Sequence, residues 1–358
     1  MVTFVYAFRD RDVLRVKITL DSLANQLETD FSVVFVDYGS RDEVAATVKN
    51  LVESYAFAYY FYVPAQLLLW NKSKALNFGI KQAKTPYIFI ADVDLVFHPR
   101  VTALLKDIAD PQKAYLFKLG YMRQRDSEML KAPYQFEALL PSHSGLVNGM
   151  VFTSKMALQD VEGFDTFYHF YGAEDEDLYA RLANSGIAVC RRDENYFLHN
   201  WHVVYGDGQP KKITGSPRLH NIKRINQRHY LSAVESSSIR PPRLSDFGNV
   251  VKREDQDALS YPTVKIGLKN IDAHIIHFFN EQVHSFKNEI VEVTISEDPY
   301  YRSWKHRVKK LTGKQSQPYL SMEKVSGIVL SAIVFQFRDV NYAYVVKDLK
   351  TIIFTVKL

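Results

Sequence analysis

One cysteine in 358 residues, Cys190, excludes an intrachain disulfide and any cluster of thiolate metal ligands. No run reaches the roughly 18–20 apolar residues of a membrane span. The longest candidates are AFAYYFYVPAQLLLW, broken by Pro64, and GIVLSAIVF, which is too short. Both are expected as buried strands or loops. Internal repeats and low-complexity tracts are also missing, so a solenoid or a fibre is excluded. Charge of one sign is in small excess only: 45 Lys and Arg against 40 Asp and Glu give +5. That balance suits an anionic ligand or a membrane surface and is too weak to argue for nucleic acid. The opening MVTFVYAF runs into Arg9-Asp10-Arg11-Asp12, where the apolar core of a signal peptide would have to continue. No secretory leader is therefore expected, and the expected location is cytoplasmic. The 47% hydrophobic and 24% charged content is that of a folded chain, and the length implies about two domains.

The first 100 residues alternate short apolar runs with helical spacing. VTFVYAF, FSVVFVDYGS, AYYFYV and YIFIADVD read as strands; VLRVKITLDSLANQL, RDEVAATVKNLVESY and NKSKALNFGIKQA between them read as helices. Continuous apolar strands alternating with helices predict an α/β fold with a mostly parallel sheet covered on both faces. In such sheets ligands bind beyond the carboxyl ends of the strands. Arg9-Asp10-Arg11, Asp37 and Asp92-Asp94 all fall there. The pattern breaks into Ser, Pro and Gly at 236–249, a boundary between residues 1–235 and a C-terminal region, 250–358. That region is read as strand-rich at its end, from VEVTIS, GIVLSAIVFQF, YAYVV and TIIFTVKL.

Three constellations carry chemistry. Asp92 and Asp94 end the fourth strand, and strand alternation would put both carboxylates on one side, able to hold a hard divalent cation and through it a diphosphate. Glu174, Asp175, Glu176 and Asp177 open a helix after the aromatic FYHFYG. The helix dipole accounts for one or two of these acids; a further one in an aromatic cleft can act as a general base toward a hydroxyl. His199 and His202 flank Trp201, and imidazole joined to carboxylate suits Mn²⁺. Two cationic stretches, 218–229 and 302–314, are either solvated helix faces or contacts to an anionic glycan or an acidic membrane surface, with Trp304 at the interface. The loop SGLVNGMVF carries glycines able to serve a lid.

In their order these motifs resemble the GT-A glycosyltransferases of the family-2 type, and within them the β-1,4-galactosyltransferase and bacterial chondroitin polymerase group. AFRDR (7–11) is similar to that group's PFRNR-like motif, WNKSKALNFG (70–79) to its FNRAKLLNVG-like stretch, and YGAEDEDLYARL to its WGGEDDDIYNRL-like motif. Lys72 stands where the group has Arg, Tyr171 and Ala173 where it has Trp and Gly, and HNWH falls where it has a metal-binding histidine. The resemblance covers residues 1–205. With the boundary read above, it implies a GT-A domain over 1–235; the linker at 236–249 and the accessory region over 250–358 lie outside the resemblance. It implies an inverting, metal-dependent transfer of a hexose or N-acetylhexosamine from a UDP-sugar to a hydroxyl of an oligosaccharide or glycolipid acceptor, as in bacterial surface polysaccharide synthesis. Phe8, Arg9, Arg11, Asp37, Lys72, Asn77 and Asp92 would then serve the UDP-sugar. Asp94, with His202 or else His199, would hold Mn²⁺ or Mg²⁺. Asp175 would be the base, Glu174 would organise the acceptor, and Tyr171 and Gly172 would bind it. Peripheral contact with the inner membrane face is compatible with this reading. The alternatives are a non-catalytic nucleotide-sugar or carbohydrate-binding module, and a phosphatase using the D-x-D aspartate.

Overall fold

A computed structural model describes residues 1–130, 135–146, 149–203, 213, 215, 217–243, 247–313 and 317–358. Val147 and Asn148, in the middle of the glycine-bearing loop expected as a lid, lie outside these residues, as do 244–246 in the expected linker. The chain forms two compact units. The first contains the described residues of Met1–Gln66, Trp70–Tyr205 and Lys223–Val250; the second contains Leu67–Leu69, Gly206–Ile222 and Val251–Leu358. The described part of 236–249 thus clusters with the first unit.

The first unit is built on strands β1 (Val2–Phe8), β2 (Phe31–Tyr38), β3 (Ala58–Val63), β4 (Tyr87–Ala91), β5 (Leu95–Phe97), β6 (Lys113–Phe117), β7 (Leu119–Tyr121), β8 (His143–Gly145), β9 (Val151–Ser154), β10 (Ala188–Arg192) and β11 (Phe197–His199). Seven make one sheet in the order β10-β6-β9-β4-β1-β2-β3. Its neighbours run parallel except at β9, which is antiparallel to both β4 and β6. A smaller sheet, β5-β11-β7-β8, lies at the strand ends. The architecture is the expected one: α/β, with one large and mostly parallel sheet.

Burial explains why these segments became central strands. β1 and β2 each expose almost nothing, because both faces are covered by apolar residues. Phe4, Phe31, Phe89, Phe97, Phe117 and Phe197 pack edge to face, tilted or, for Phe89 on Phe197, stacked, at centroid distances of 4.9–6.1 Å, contacts that add specificity to the burial energy. Helix Val13–Ala24 is capped by Asp12, whose carboxylate accepts from the Leu14 N–H, and helix Lys72–Gln82 by Asn71, which accepts from the Lys74 N–H. Gly79 faces the sheet at a point where a Cβ would lie 2.5 Å from a methyl of Val5, so the helix can sit this close only with glycine there.

The second unit has one four-stranded sheet of β12 (Val264–Lys269), β13 (Ile290–Ser296), β14 (Tyr342–Lys347) and β15 (Thr351–Lys357), in the order β12-β13-β15-β14. One expectation is corrected here. GIVLSAIVFQF is not a strand: it lies in a helix, Met322–Ala332, that continues as a wider turn over Ile333–Phe337. Its buried residues Met322, Val325, Ser326, Val329, Leu330, Ile333, Val334 and Phe337 recur every three or four positions. Packing of that helical stripe outweighs the strand preference of Ile and Val. Among the described residues no helix is long and apolar enough to cross a membrane.

Candidate active site

The site forms beyond β4 in the first unit. β4 ends at Ala91, and Asp92-Val93-Asp94 make a turn rather than extending the strand. Strand alternation therefore does not set the two carboxylates, and they have different partners. Asp92 Oδ1 is 2.7 Å from Lys72 Nζ. Asp94 Oδ2 is 3.0 Å from His202 Nε2, 3.7 Å from His199 Nε2 and 3.8 Å from Arg15 Nη1. The metal-donor atoms of Asp94, His199 and His202 lie within 4.8 Å of one another.

This trio has the chemistry of a divalent-cation site. Asp94 Oδ1 is buried with no hydrogen-bond partner among the described residues, a cost that a bound cation would remove. Burial alone would raise the Asp94 carboxyl, but the His202 hydrogen bond and the charges of His199, His202 and Arg15 hold it below its ordinary value. His202 Nδ1 bonds the Val203 carbonyl at 2.9 Å, which fixes the ring and leaves Nε2 on the Asp94 side. The hydrogen bond to Asp94 raises the His202 pKa, whereas burial lowers that of His199. Two imidazoles and a carboxylate suit Mn²⁺. Beneath them, Tyr6 on β1 has a buried hydroxyl with no partner among the described residues. Burial first, then the charges of Asp92 and Asp94, push its pKa up.

The acidic helix meets the same turn through Lys72. Lys72 Nζ is 3.7 Å from Glu174 Oε1. Burial opposes its charge, but Asp92, Glu174 and Asp175 outweigh burial and keep it firmly protonated. Glu174 Oε2 accepts from the Gly172 N–H at 3.1 Å, tying the helix start to the loop before it. Burial raises the carboxyls of both Glu174 and Asp175, against the opposing pull of Lys72. Gly149 marks the point of convergence: a Cβ there would lie 3.4 Å from Lys72 Nζ, 3.7 Å from Asp92 Oδ2 and 4.0 Å from Asp175 Oδ2. Residues far apart in sequence thus surround one point.

Residues 8–164 match the model of glycosyl transferase family 2, and residues 132–203 match the model described as the N-terminal domain of galactosyltransferase. Residues 8–203 thus resemble glycosyltransferase domains. Comparison with curated proteins gives no match. Among solved structures, similar chains include residues 1–349 of S. aureus TarS, at 17% identity and a TM-score of 0.42, over 56% of this chain and 60% of that one. Another is the mannosyltransferase PcManGT from Pyrobaculum calidifontis, solved in complex with GDP-Man and Mn²⁺, at 18% identity and a TM-score of 0.43, over 66% of this chain and 64% of that one. The chain thus spans under two thirds of each of these two.

In the first unit, the expected donor residues differ in placement. Lys72 and Asp92 stand in the site. Arg9 bonds the Gln66 carbonyl at 2.6 Å, and Arg11 is exposed. Three others are turned inward. The Phe8 ring is fully buried, tilted against Phe35 at 5.4 Å, so only its backbone is left for a ligand. Asn77 uses both ends of its amide on Phe164, accepting from its N–H and donating to its carbonyl at 2.8 Å each, and so clamps the fold. Asp37 is fully buried, accepting from the Ser40 N–H and the Tyr60 hydroxyl at 2.8 Å each. Local pattern put all three at strand ends or in a motif; packing between segments turned their side chains inward.

The loop before the acidic helix is held by a helix that the sequence offers only as a cationic stretch. Asn226, fully buried on helix Ile222–Glu235, donates to the carbonyls of His169 and Tyr171 at 3.1 Å each. Lys223 Nζ lies 4.9 Å from the centre of the Tyr171 ring. His229 Nε2 meets Asp165 Oδ2 at 2.8 Å, with its ring stacked on Phe167 at 3.8 Å. Asn226 lies one helical turn after Ile222 and beside Ile225, on the apolar side of the basic run, and that spacing is the signal that could have marked this face. Tyr121 was also missed: its ring is tilted against that of His199 at 5.3 Å, and burial, then Tyr171, Asp92 and Asp94, raise its pKa.

Phe170, Gly172 and Ala173 all have positive φ, at 64°, 103° and 70°. Ala173 holds the left-handed conformation at the helix N-cap with no side-chain cap bond. Ala173→Gly is expected to raise stability by about 1 kcal/mol by relieving that strain, read as a higher midpoint in a thermal melt. A lower midpoint would show that the methyl group packs more favourably than the backbone strain costs.

Proposed function

We propose that this domain is an inverting, divalent-cation-dependent glycosyltransferase that moves a hexose or N-acetylhexosamine from a UDP-sugar to a hydroxyl of a glycan acceptor. The observation that carries the reading is the convergence of Asp94, His199 and His202 on one side of the D-x-D turn and of Lys72, Glu174 and Asp175 on the other.

Asp94, His199 and His202 would hold the cation, Mn²⁺ or Mg²⁺, whose charge offsets that developing on the departing diphosphate. Lys72, fixed by Asp92 and Glu174, presents a permanent positive charge beside that turn. Arg9 and Arg11, at the end of β1, supply two further cations for the nucleotide diphosphate. Asp175 accepts the proton of the acceptor hydroxyl as its oxygen attacks the anomeric carbon. Its raised pKa makes it a stronger base than a solvated aspartate. Glu174 holds the Gly172 backbone, and with it the loop that presents Tyr171 to the acceptor sugar. A single displacement of this kind inverts the anomeric centre and needs no covalent sugar intermediate. A role in bacterial surface polysaccharide synthesis, and the second unit as an accessory region, belong to the same reading.

A thermal-shift panel of UDP-sugars and GDP-sugars with and without Mn²⁺, followed by NMR of the product made on an acceptor array, tests it. The expected result is Mn²⁺-dependent stabilisation by a UDP-sugar and a product of inverted configuration. Preference for a GDP-sugar would reassign the donor, and retained configuration would overturn the single displacement.

A further inference from the structure

The second unit carries a short helix, Trp304–Leu311, whose two faces are opposite in character. One face is anchored. His306 is buried, with Nδ1 bonding the Tyr301 carbonyl at 2.8 Å, its N–H donating to Ser303 Oγ at 3.1 Å, and its ring 5.3–5.7 Å from those of Tyr300, Tyr301 and Tyr319. A helix turns about 100° per residue, so Trp304, Val308 and Leu311 share an arc of roughly 60° on the side opposite His306. All three are in solvent: Trp304 is 74% exposed, Val308 37% and Leu311 85%. Lys305 and Arg307 flank this apolar arc and Lys309 lies farther round; all are exposed and form no ion pair among the described residues. The stretch 302–314 holds six Lys and Arg and no Asp or Glu.

We propose that this helix seats the protein on an anionic phospholipid surface, with Trp304, Val308 and Leu311 entering the headgroup boundary and Lys305 and Arg307 on the lipid phosphates. An apolar arc rimmed by cations, with an indole at one end, fits an interface that is wet and negative above and apolar below. A polyanionic glycan would satisfy the cations and leave three apolar side chains in water. Eight residues span about 12 Å as a helix, so the segment lies along a bilayer rather than across it. The anchored His306 face keeps the helix formed and its apolar side outward before any lipid arrives. The proposal does not depend on glycosyl transfer.

The test uses the full chain and vesicles of phosphatidylcholine alone or mixed equally with phosphatidylglycerol. Co-sedimentation with the mixed vesicles is expected, falling with added salt, together with a blue shift of Trp emission that Trp304→Tyr removes. Lys305→Glu and Arg307→Glu should each weaken partitioning about fivefold or more. Trp304→Ala with Leu311→Ala should weaken it about tenfold or more. These residues are exposed, so unchanged melting and unchanged donor binding identify folded variants. Absence of sedimentation, sedimentation insensitive to these variants, or binding to chondroitin sulfate with no Trp shift on vesicles would each overturn the proposal.

Discussion

Asp175→Asn is expected to lower kcat by about 10²–10⁴ while leaving donor binding intact. The side chain keeps its shape and its hydrogen bond from the Glu176 N–H, but an amide cannot take up the acceptor proton. The measurement is sugar transfer under donor saturation, with nucleotide-sugar affinity determined in parallel. Turnover like that of the native chain would remove Asp175 from the base role. The same residue sets an expectation for pH. A general base works only when unprotonated, so activity falls as pH drops through its pKa. Burial raises that pKa above that of a solvated aspartate, so the acid limb of kcat/KM should lie at a higher pH than a free carboxyl would give. Lys72 opposes the shift, and Lys72→Met should move the limb higher still.

Asp94→Asn should weaken divalent-dependent donor binding by about 100-fold or more, or about 2.7 kcal/mol. Asp94 is the one carboxylate in the trio, and its unbonded Oδ1 is the atom best placed to gain from a cation. The comparison is the Mn²⁺-dependent rise in melting temperature with a UDP-sugar, native against variant. The metal-free variant should also melt slightly lower, since the His202 ion pair is lost. Metal-dependent binding that survives would exclude Asp94 as a ligand. The two substitutions separate the functions of the site: the first abolishes chemistry and keeps binding, the second abolishes binding.

Much of the first unit was legible because its central strands are buried on both faces. β1, β2 and β4 read as uninterrupted apolar runs, with caps such as Asp12 and Asn71 marking the helices between strands. The caps depend on neighbours close in sequence, and the apolar runs are visible within each strand. The helix Met322–Ala332 was not legible, because a run of Val, Ile and Leu satisfies a strand and a helix equally until its partners are known.

The sequence by itself determined the α/β alternation, the strand-end position of Asp92 and Asp94, and the candidates Glu174, Asp175, His199 and His202. Residue type, period and order along the chain carry that information locally. Only the tertiary structure decided that Asp92 turns to Lys72 and Asp94 to the histidines, that Phe8, Asp37 and Asn77 face inward, and that Gly149 and Asn226 complete the site. A side chain's direction and partners are fixed by packing between segments tens to more than a hundred residues apart, and no local pattern records which of them meet.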